Sequence, residues 1–177
     1  MMIDWKRDIN WERVFGVIEA TSNLKRNQTR PLRTEIIEKA IAKYSGGKLE
    51  YVGDAADGMD FICTSTGARI ECKLQQTVFP VKASHTRSIV GKNFRGTKQE
   101  VHELKQTYDT MLMIDTGKRR VGVCDWDACE YTCTDACASF RVPVEKCEII
   151  VDGVMPDQSL SGKDFNSIIF EAIEREI

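Results

Sequence analysis

The segment GMDFICTSTGARIECKLQQ, Gly58–Gln76, constrains the fold more tightly than any other part of the chain. It reads as two strands, Asp60–Cys63 and Ala68–Gln75, joined by a turn over Thr64–Gly67. Side chains alternate between the two faces of a strand, and directly opposed residues share a face. With Cys63 opposite Ala68, Asp60 falls opposite Glu71. One face then carries Phe61, Cys63, Ala68, Ile70, Cys72 and Leu74, which call for a hydrophobic core, and the other carries Asp60, Glu71, Lys73 and Gln75. A slip of one residue would bury the charges, so the register is strongly specified.

Two carboxylates directly opposed on a sheet repel each other, and something must offset that cost. A surface salt-bridge ladder with Lys73 is one solution. A divalent cation is the other: Mg²⁺ takes one or two carboxylates, keeps several waters and accepts substrate phosphate. Lys73, one pleat beyond Glu71, is then placed to bind phosphate, position a water or stabilise developing charge.

The rest of the chain supplies layers for this hairpin. Asn10–Ala20 predicts a helix with Asn10 as its cap and Trp11, Val14, Phe15 and Ile18 at helical spacing. A second helix is expected from about Thr34 to Tyr44, with an Ile36, Ile37, Ala40, Ile41 and Tyr44 stripe, ended by Ser45-Gly46-Gly47. KLEYVG reads as a short strand, residues 97–108 as a helix, TMLMID and VGVCDW as a hairpin, CEIIVDG as a last strand, and DFNSIIFEAIEREI as a C-terminal helix capped by Asp164. Helices before, between and after strands predict an α/β (α+β) domain with a central mixed sheet flanked by helices. The 177 residues suit one domain spanning the whole chain. No apolar run approaches membrane-spanning length, the N-terminus lacks a signal-peptide pattern, and seven cysteines suit reduced thiols, so a cytoplasmic location is expected.

The net charge of −2 does not announce a nucleic-acid partner, but the charge is unevenly distributed. Between Lys82 and Lys105 the chain is basic, with Lys82–Gly96 expected as a loop, and Lys82, Ser84, His85, Arg87, Lys92, Asn93, Arg95 and Lys98 offer the groups that contact phosphates and base edges. These are candidate contacts to double-stranded DNA. Cys124, Cys129, Cys133 and Cys137 do not follow a standard zinc spacing. Cys129, Cys133 and Cys137 would line one face of a helix as a core-facing stripe. A zinc-containing, non-catalytic binding module is the reading from a different functional class.

GMD followed by IECK resembles the signature of the PD-(D/E)XK nuclease superfamily, with Asp60, Glu71 and Lys73 in the motif positions and Met59 where a proline often stands. The short spacing and small chain resemble the smaller type II restriction endonucleases and some structure-specific DNA nucleases. It implies a restriction-endonuclease-like fold and Mg²⁺-dependent hydrolysis of DNA phosphodiesters, with Mn²⁺ as a possible substitute. Asp60 and Glu71 would hold the metal and Lys73 would orient or activate the water. Asp54 and Asp57 lie close by, but only Asp60 pairs across from Glu71. Family members often add a carboxylate from a preceding helix, a role open to Glu35 or Glu38 with Glu38 preferred, and Gln75 could touch a phosphate or a metal-bound water. The resemblance also implies a homodimer, since a palindrome presents two strands to one active site per chain. Trp5, Trp11 and the isoleucine stripe could form that interface or could be core. A junction-resolving or repair nuclease would share the same hairpin.

Overall fold

The computed structural model describes residues 2–22, 30–53, 59–75, 82–84, 109–128, 130–133, 138–141, 146–160, 164 and 167–168. Helix α1 spans Trp11–Ala20, with Asn10 as its cap accepting a hydrogen bond from the Arg13 N–H at 3.2 Å. Helix α2 spans Arg30–Tyr44. It begins before the expected Thr34 because Pro31 falls in the first turn, where a missing N–H removes no intrahelical bond. Gly46 and Gly47 follow with φ of 60° and 83°, a conformation that stops the helix and that side-chain-bearing residues rarely adopt. The Asn10 N–H donates to the Tyr44 carbonyl at 3.0 Å, tying the start of α1 to the end of α2.

Nine strands follow among the described residues. β1 (Leu49–Tyr51), β2 (Phe61–Cys63), β3 (Arg69–Gln75), β5 (Thr110–Asp115), β6 (Arg120–Asp125) and β9 (Glu148–Val151) make a mixed sheet in the order β1-β2-β3-β5-β6-β9. β4 (Lys82–Ser84), β7 (Glu130–Cys133) and β8 (Ala138–Arg141) make a second sheet in the order β4-β8-β7. The fold is α+β. β3 and β5 run parallel, so residues 76–109 must cross over from one end of the sheet to the other, which a tight turn cannot do. The other pairings in the large sheet are antiparallel, with a register irregularity between Val121 and Gly122.

The core lies between the helices and one face of the large sheet. Trp11, Val14, Phe15, Ile18, Ile36, Ile37, Ala40 and Ile41 pack with Phe61, Cys63, Ile70, Cys72, Leu112, Ile114 and Val121, while Ala68 and Leu74 are partly buried against them. The hairpin's apolar face therefore meets the core as expected. Of the two roles open to them, Trp11 and the isoleucine stripe take part in this core, with Trp5 packed at its margin.

Three further expectations are corrected. The i, i+4, i+8 cysteine stripe does not form, because Glu130–Cys133 is a strand rich in residues that favour extended backbone. Cys129 and Cys137 lie outside the described residues. Lys82–Ser84, expected in a loop, is strand β4 paired with β8. Asp164 is itself helical, as are Ser167 and Ile168, rather than flanking a helix as its cap. The helix expected over 97–108 lies outside the described residues.

The segment after β9 closes over α1. The Asp157 N–H donates to the Glu12 carbonyl at 2.9 Å, and Arg13 pairs with Asp157 at 2.8 Å. A β-carbon added at Gly16 would meet the Asp157 carbonyl oxygen at 2.5 Å and Leu160 Cδ1 at 2.6 Å. Gly16→Ala is therefore expected to destabilise the protein by about 1–3 kcal/mol despite its higher helix propensity. Urea unfolding checks this; an equal or more stable variant would show that the closing segment does not sit tightly on α1.

Candidate active site

The β2–β3 register is the one the sequence dictates. Phe61 pairs with Ile70 and Ile62 with Arg69, and the Cys63 N–H donates to the Ala68 carbonyl at 2.9 Å. The ladder ends at Phe61, and the chain bends at Asp60. The Asp60 N–H donates to the Ile70 carbonyl at 3.1 Å, and Asp60 Oδ2 accepts from the buried Cys72 N–H at 2.7 Å. Asp60 is thus beside Glu71 without being a regular member of the ladder. The expected repulsion between the two acids is offset within the protein itself: a backbone N–H serves Asp60, and the Lys73 ammonium is ion-paired with Glu71 Oε1.

This is not a solvated ladder. Glu71 is 3% exposed, Glu38 6% and Asp60 9%. Glu38 lies on α2, and its burial separates it from Glu35, which is half-buried and pairs with Lys39 at 2.6 Å. Of the two helix glutamates, Glu38 is the one inside. Glu38, Asp60 and Glu71 all act on Cys72. Burial pushes its thiol well above the usual value, and the three carboxylates push it further, against the opposing charge of Lys73. Burial alone would lower the pKa of Lys73, but Glu71, and more weakly Asp60, outweigh it and raise it above the usual 10.5. Lys73 is accordingly an ammonium at neutral pH.

The parallel pairing extends the face. Glu71 lies opposite Met111 and then Cys124, Lys73 opposite Met113 and then Gly122, and Gln75 opposite Asp115 and then Arg120. Met111 and Met113 are fully buried and stand outside the core cluster of the other face. The charged groups therefore have an apolar flank, where electrostatic interactions are stronger than in water. Asp115 was not singled out from the sequence. It is 1% exposed, and its Oδ1 accepts from the N–H groups of Gly117 and Lys118 at 3.0 Å each. Its Oδ2 is buried with no hydrogen-bond partner among the described residues. The Asp-Thr-Gly-Lys turn was the available signal, since an aspartate there commonly receives backbone N–H groups.

The structure brings together Asp60, Glu71, Lys73 and Glu38. Gln75 ends β3, one pleat beyond Lys73. Lys82 and Ser84 fall on β4 in the second sheet. His85, Arg87, Lys92, Asn93, Arg95 and Lys98, together with Asp54 and Asp57, lie outside the described residues. Cys124 is buried in β6 and Cys133 closes β7. Among the described residues no group of three or more His, Cys, Asp or Glu is placed to hold a metal ion by itself. Two buried hard-oxygen donors, Asp60 and Glu71, still fit a cation such as Mg²⁺ that completes its shell with water and phosphate. Among the described residues no helix is long and apolar enough to cross a membrane. No protein-family model and no curated protein sequence matches the chain.

Two outcomes follow for the protein without metal or DNA. Asp60→Ala strands the buried Cys72 N–H and is expected to cost about 1–3 kcal/mol. Asp60→Asn keeps an acceptor while removing the repulsion with Glu71, and should be at least as stable as Asp60→Ala by a clear margin in urea. Equal losses would mean that the hydrogen bond does not set the site's geometry. Lys73 has a folded pKa above its unfolded one, so its stabilisation is present below the ordinary lysine value and is lost as pH rises through the folded one. The stability gap between wild type and Lys73→Met should therefore narrow only above the usual 10.5.

Proposed function

We propose that this chain is a Mg²⁺-dependent DNA endonuclease of the PD-(D/E)XK type that hydrolyses phosphodiester bonds in double-stranded DNA. We infer that it acts as a type II restriction enzyme, as a homodimer in the cytoplasm. The observation that carries the reading is the gathering of Asp60, Glu71 and Lys73 at one end of the β2–β3 hairpin. The two carboxylates are buried, and a third, Glu38, is held inside by the neighbouring helix. Structural salt bridges seldom bury three carboxylates around one lysine, because desolvating each charge is costly. The order of helix, three antiparallel strands, crossover and parallel strand is compatible with the same family.

Asp60 and Glu71 would hold the cation, with Glu38 as the accessory carboxylate. When bound, Mg²⁺ supplies a Lewis acid for the phosphate and a water of lowered pKa. Lys73 contributes a fixed positive charge beside the carboxylates, suited to the negative charge that develops on the phosphoryl oxygens. The apolar flank formed by Met111 and Met113 strengthens that interaction. Gln75 ends the same strand, one pleat beyond Lys73. A palindromic site presents two scissile bonds related by a two-fold axis, which a symmetric pair of chains would cut.

The test is incubation with supercoiled plasmid, long linear duplex and branched DNA, in Mg²⁺ and in EDTA. Discrete duplex fragments that require Mg²⁺ are expected, with Glu71→Ala and Lys73→Ala slowing cleavage by at least roughly 10²–10³-fold, the several kcal/mol a metal site supplies. Calorimetric titration with Mn²⁺ should show binding to wild type and its loss in Glu71→Ala. Cutting confined to branched DNA would replace the restriction role with a structure-specific one. No cleavage of any DNA with either metal would overturn the nuclease reading.

A further inference from the structure

Cys63, Cys72, Cys124 and Cys147 are free thiols. The two in the hairpin are kept apart by its register. Cys63 faces Ala68 across the turn and donates its N–H to the Ala68 carbonyl, while the Cys72 N–H goes to Asp60. The other two are brought together. β6 and β9 are antiparallel neighbours, and their pairing runs from Gly122 with Ile149 to Val123 with Glu148. The next residue along β6 is Cys124, and the next on the β9 side is Cys147, at the bend that leads into the strand. The two sulfurs are near enough to act on each other. Burial, and after it the charge that Cys124 would carry, push the Cys147 thiol up to about 12.

Val121 and Val123 pack toward the helices, so alternation along β6 puts Cys124 on the opposite face. Cys124 pairs there with Met111, and Met111 with Glu71, so the thiol stands in the row that carries Glu71. Cys124 is fully buried and Cys147 half-buried, which leaves one sulfur sealed and the other within reach of a small reagent. In an antiparallel ladder the Cα atoms of opposed residues stand about 4.5–5.5 Å apart, inside the roughly 4.4–6.8 Å that a disulfide spans. β9 is an edge strand of the large sheet. Its far end is held by the Arg120 guanidinium, which meets the Asp152 carboxylate at 2.9 and 3.1 Å. Its near end begins at the bend that contains Cys147. A bond there would fasten both ends and close the loop 124–147, which contains β7 and β8.

We propose that Cys124 and Cys147 are a modification site, oxidised by peroxide to a disulfide that fastens edge strand β9 to β6. The Cys147 sulfur, as thiolate, attacks one peroxide oxygen. An S–O bond forms, the O–O bond breaks, and the departing hydroxide takes up the proton that Cys147 lost, giving water. The Cys124 sulfur then attacks the sulfenic sulfur. The S–S bond forms, the S–O bond breaks, and the oxygen leaves as a second water with the Cys124 thiol proton. Two electrons pass from the thiols to the peroxide. Burial keeps the Cys147 thiolate scarce at neutral pH, so the first step is slow. The same lack of thiolate stabilisation makes the product hard to reduce, since strongly oxidising disulfides are those whose reduced form is stabilised. The pair is therefore a fastening made under sustained oxidation rather than a catalytic dithiol. Nothing in this chemistry requires nuclease activity.

The test is treatment of the reduced full chain with hydrogen peroxide, then alkylation of the remaining thiols, proteolysis without reductant and mass spectrometry. A peptide linking Cys124 to Cys147 is expected, and dithiothreitol should release it. The oxidised protein should unfold at a temperature higher by roughly 5–10 °C, because the bond removes freedom from the unfolded loop. Hydrogen exchange at the Glu148, Ile149 and Ile150 amides should slow as β9 opens less often. Cys147→Ser, at the half-buried position, should abolish the link and the thermal shift, while the reduced variant unfolds where the reduced wild type does. Linkage of either cysteine to Cys129, Cys133 or Cys137 instead would overturn the site. So would a sulfinic or sulfonic acid at Cys147 with no link, or free thiols at both positions after peroxide. A linked protein whose unfolding temperature and β9 exchange match the reduced form would overturn the fastening.

Discussion

The hydrogen bond from the Cys72 N–H to the Asp60 carboxylate, 2.7 Å long, marks the point where the hairpin ladder gives way to a site. It takes Asp60 out of regular pairing, bends the chain and holds one carboxylate beside the other. Everything around it is arranged to tolerate two acids in a small, largely buried space. Glu71 is compensated by Lys73, and Lys73 is kept charged by Glu71 and Asp60 together. Each charge has a partner in the free protein, which is the condition under which buried ions persist.

That arrangement depends on the two faces of one sheet being used differently. The face toward α1 and α2 is an ordinary aliphatic and aromatic core. The other carries the charged row with Met111 and Met113 beside it, both fully buried. A lysine–glutamate pair on an open sheet would contribute little, since water screens it. On this face the same pair acts in a medium of lower polarity, where fixed charges exert more force on whatever binds next to them.

The crossover that makes β3 and β5 parallel has a second consequence. It obliges the chain to travel after Gln75, and on that journey it forms β4 and pairs it with β8. The strand that carries Glu71 and Lys73 is thereby followed directly in the chain by a strand of the second sheet. The chain after β6, where a cysteine-bearing helix was one expectation, instead contributes β7 and the central strand, β8, of that second sheet.

The hairpin register, its apolar and charged faces, the two N-terminal helices, the β5–β6 hairpin and the nearness of Asp60, Glu71 and Lys73 to one another were legible in the sequence. They rest on local periodicity: alternation of two in strands, 3.6 in helices, and turn residues between them. Four things were decided only by tertiary structure. Glu38 rather than Glu35 is inside because helix α2 is rotated by what it packs against. Asp60 bends out of the ladder because a buried N–H at Cys72 needed an acceptor. Asp115 joins the face because a parallel strand, distant in sequence, docks beside β3. Arg141 comes opposite Lys82, and Ser139 opposite Ser84, because β8 pairs with β4. Each of these turns on which distant segments become neighbours, and neighbours across a sheet or beneath a helix leave no mark in local periodicity.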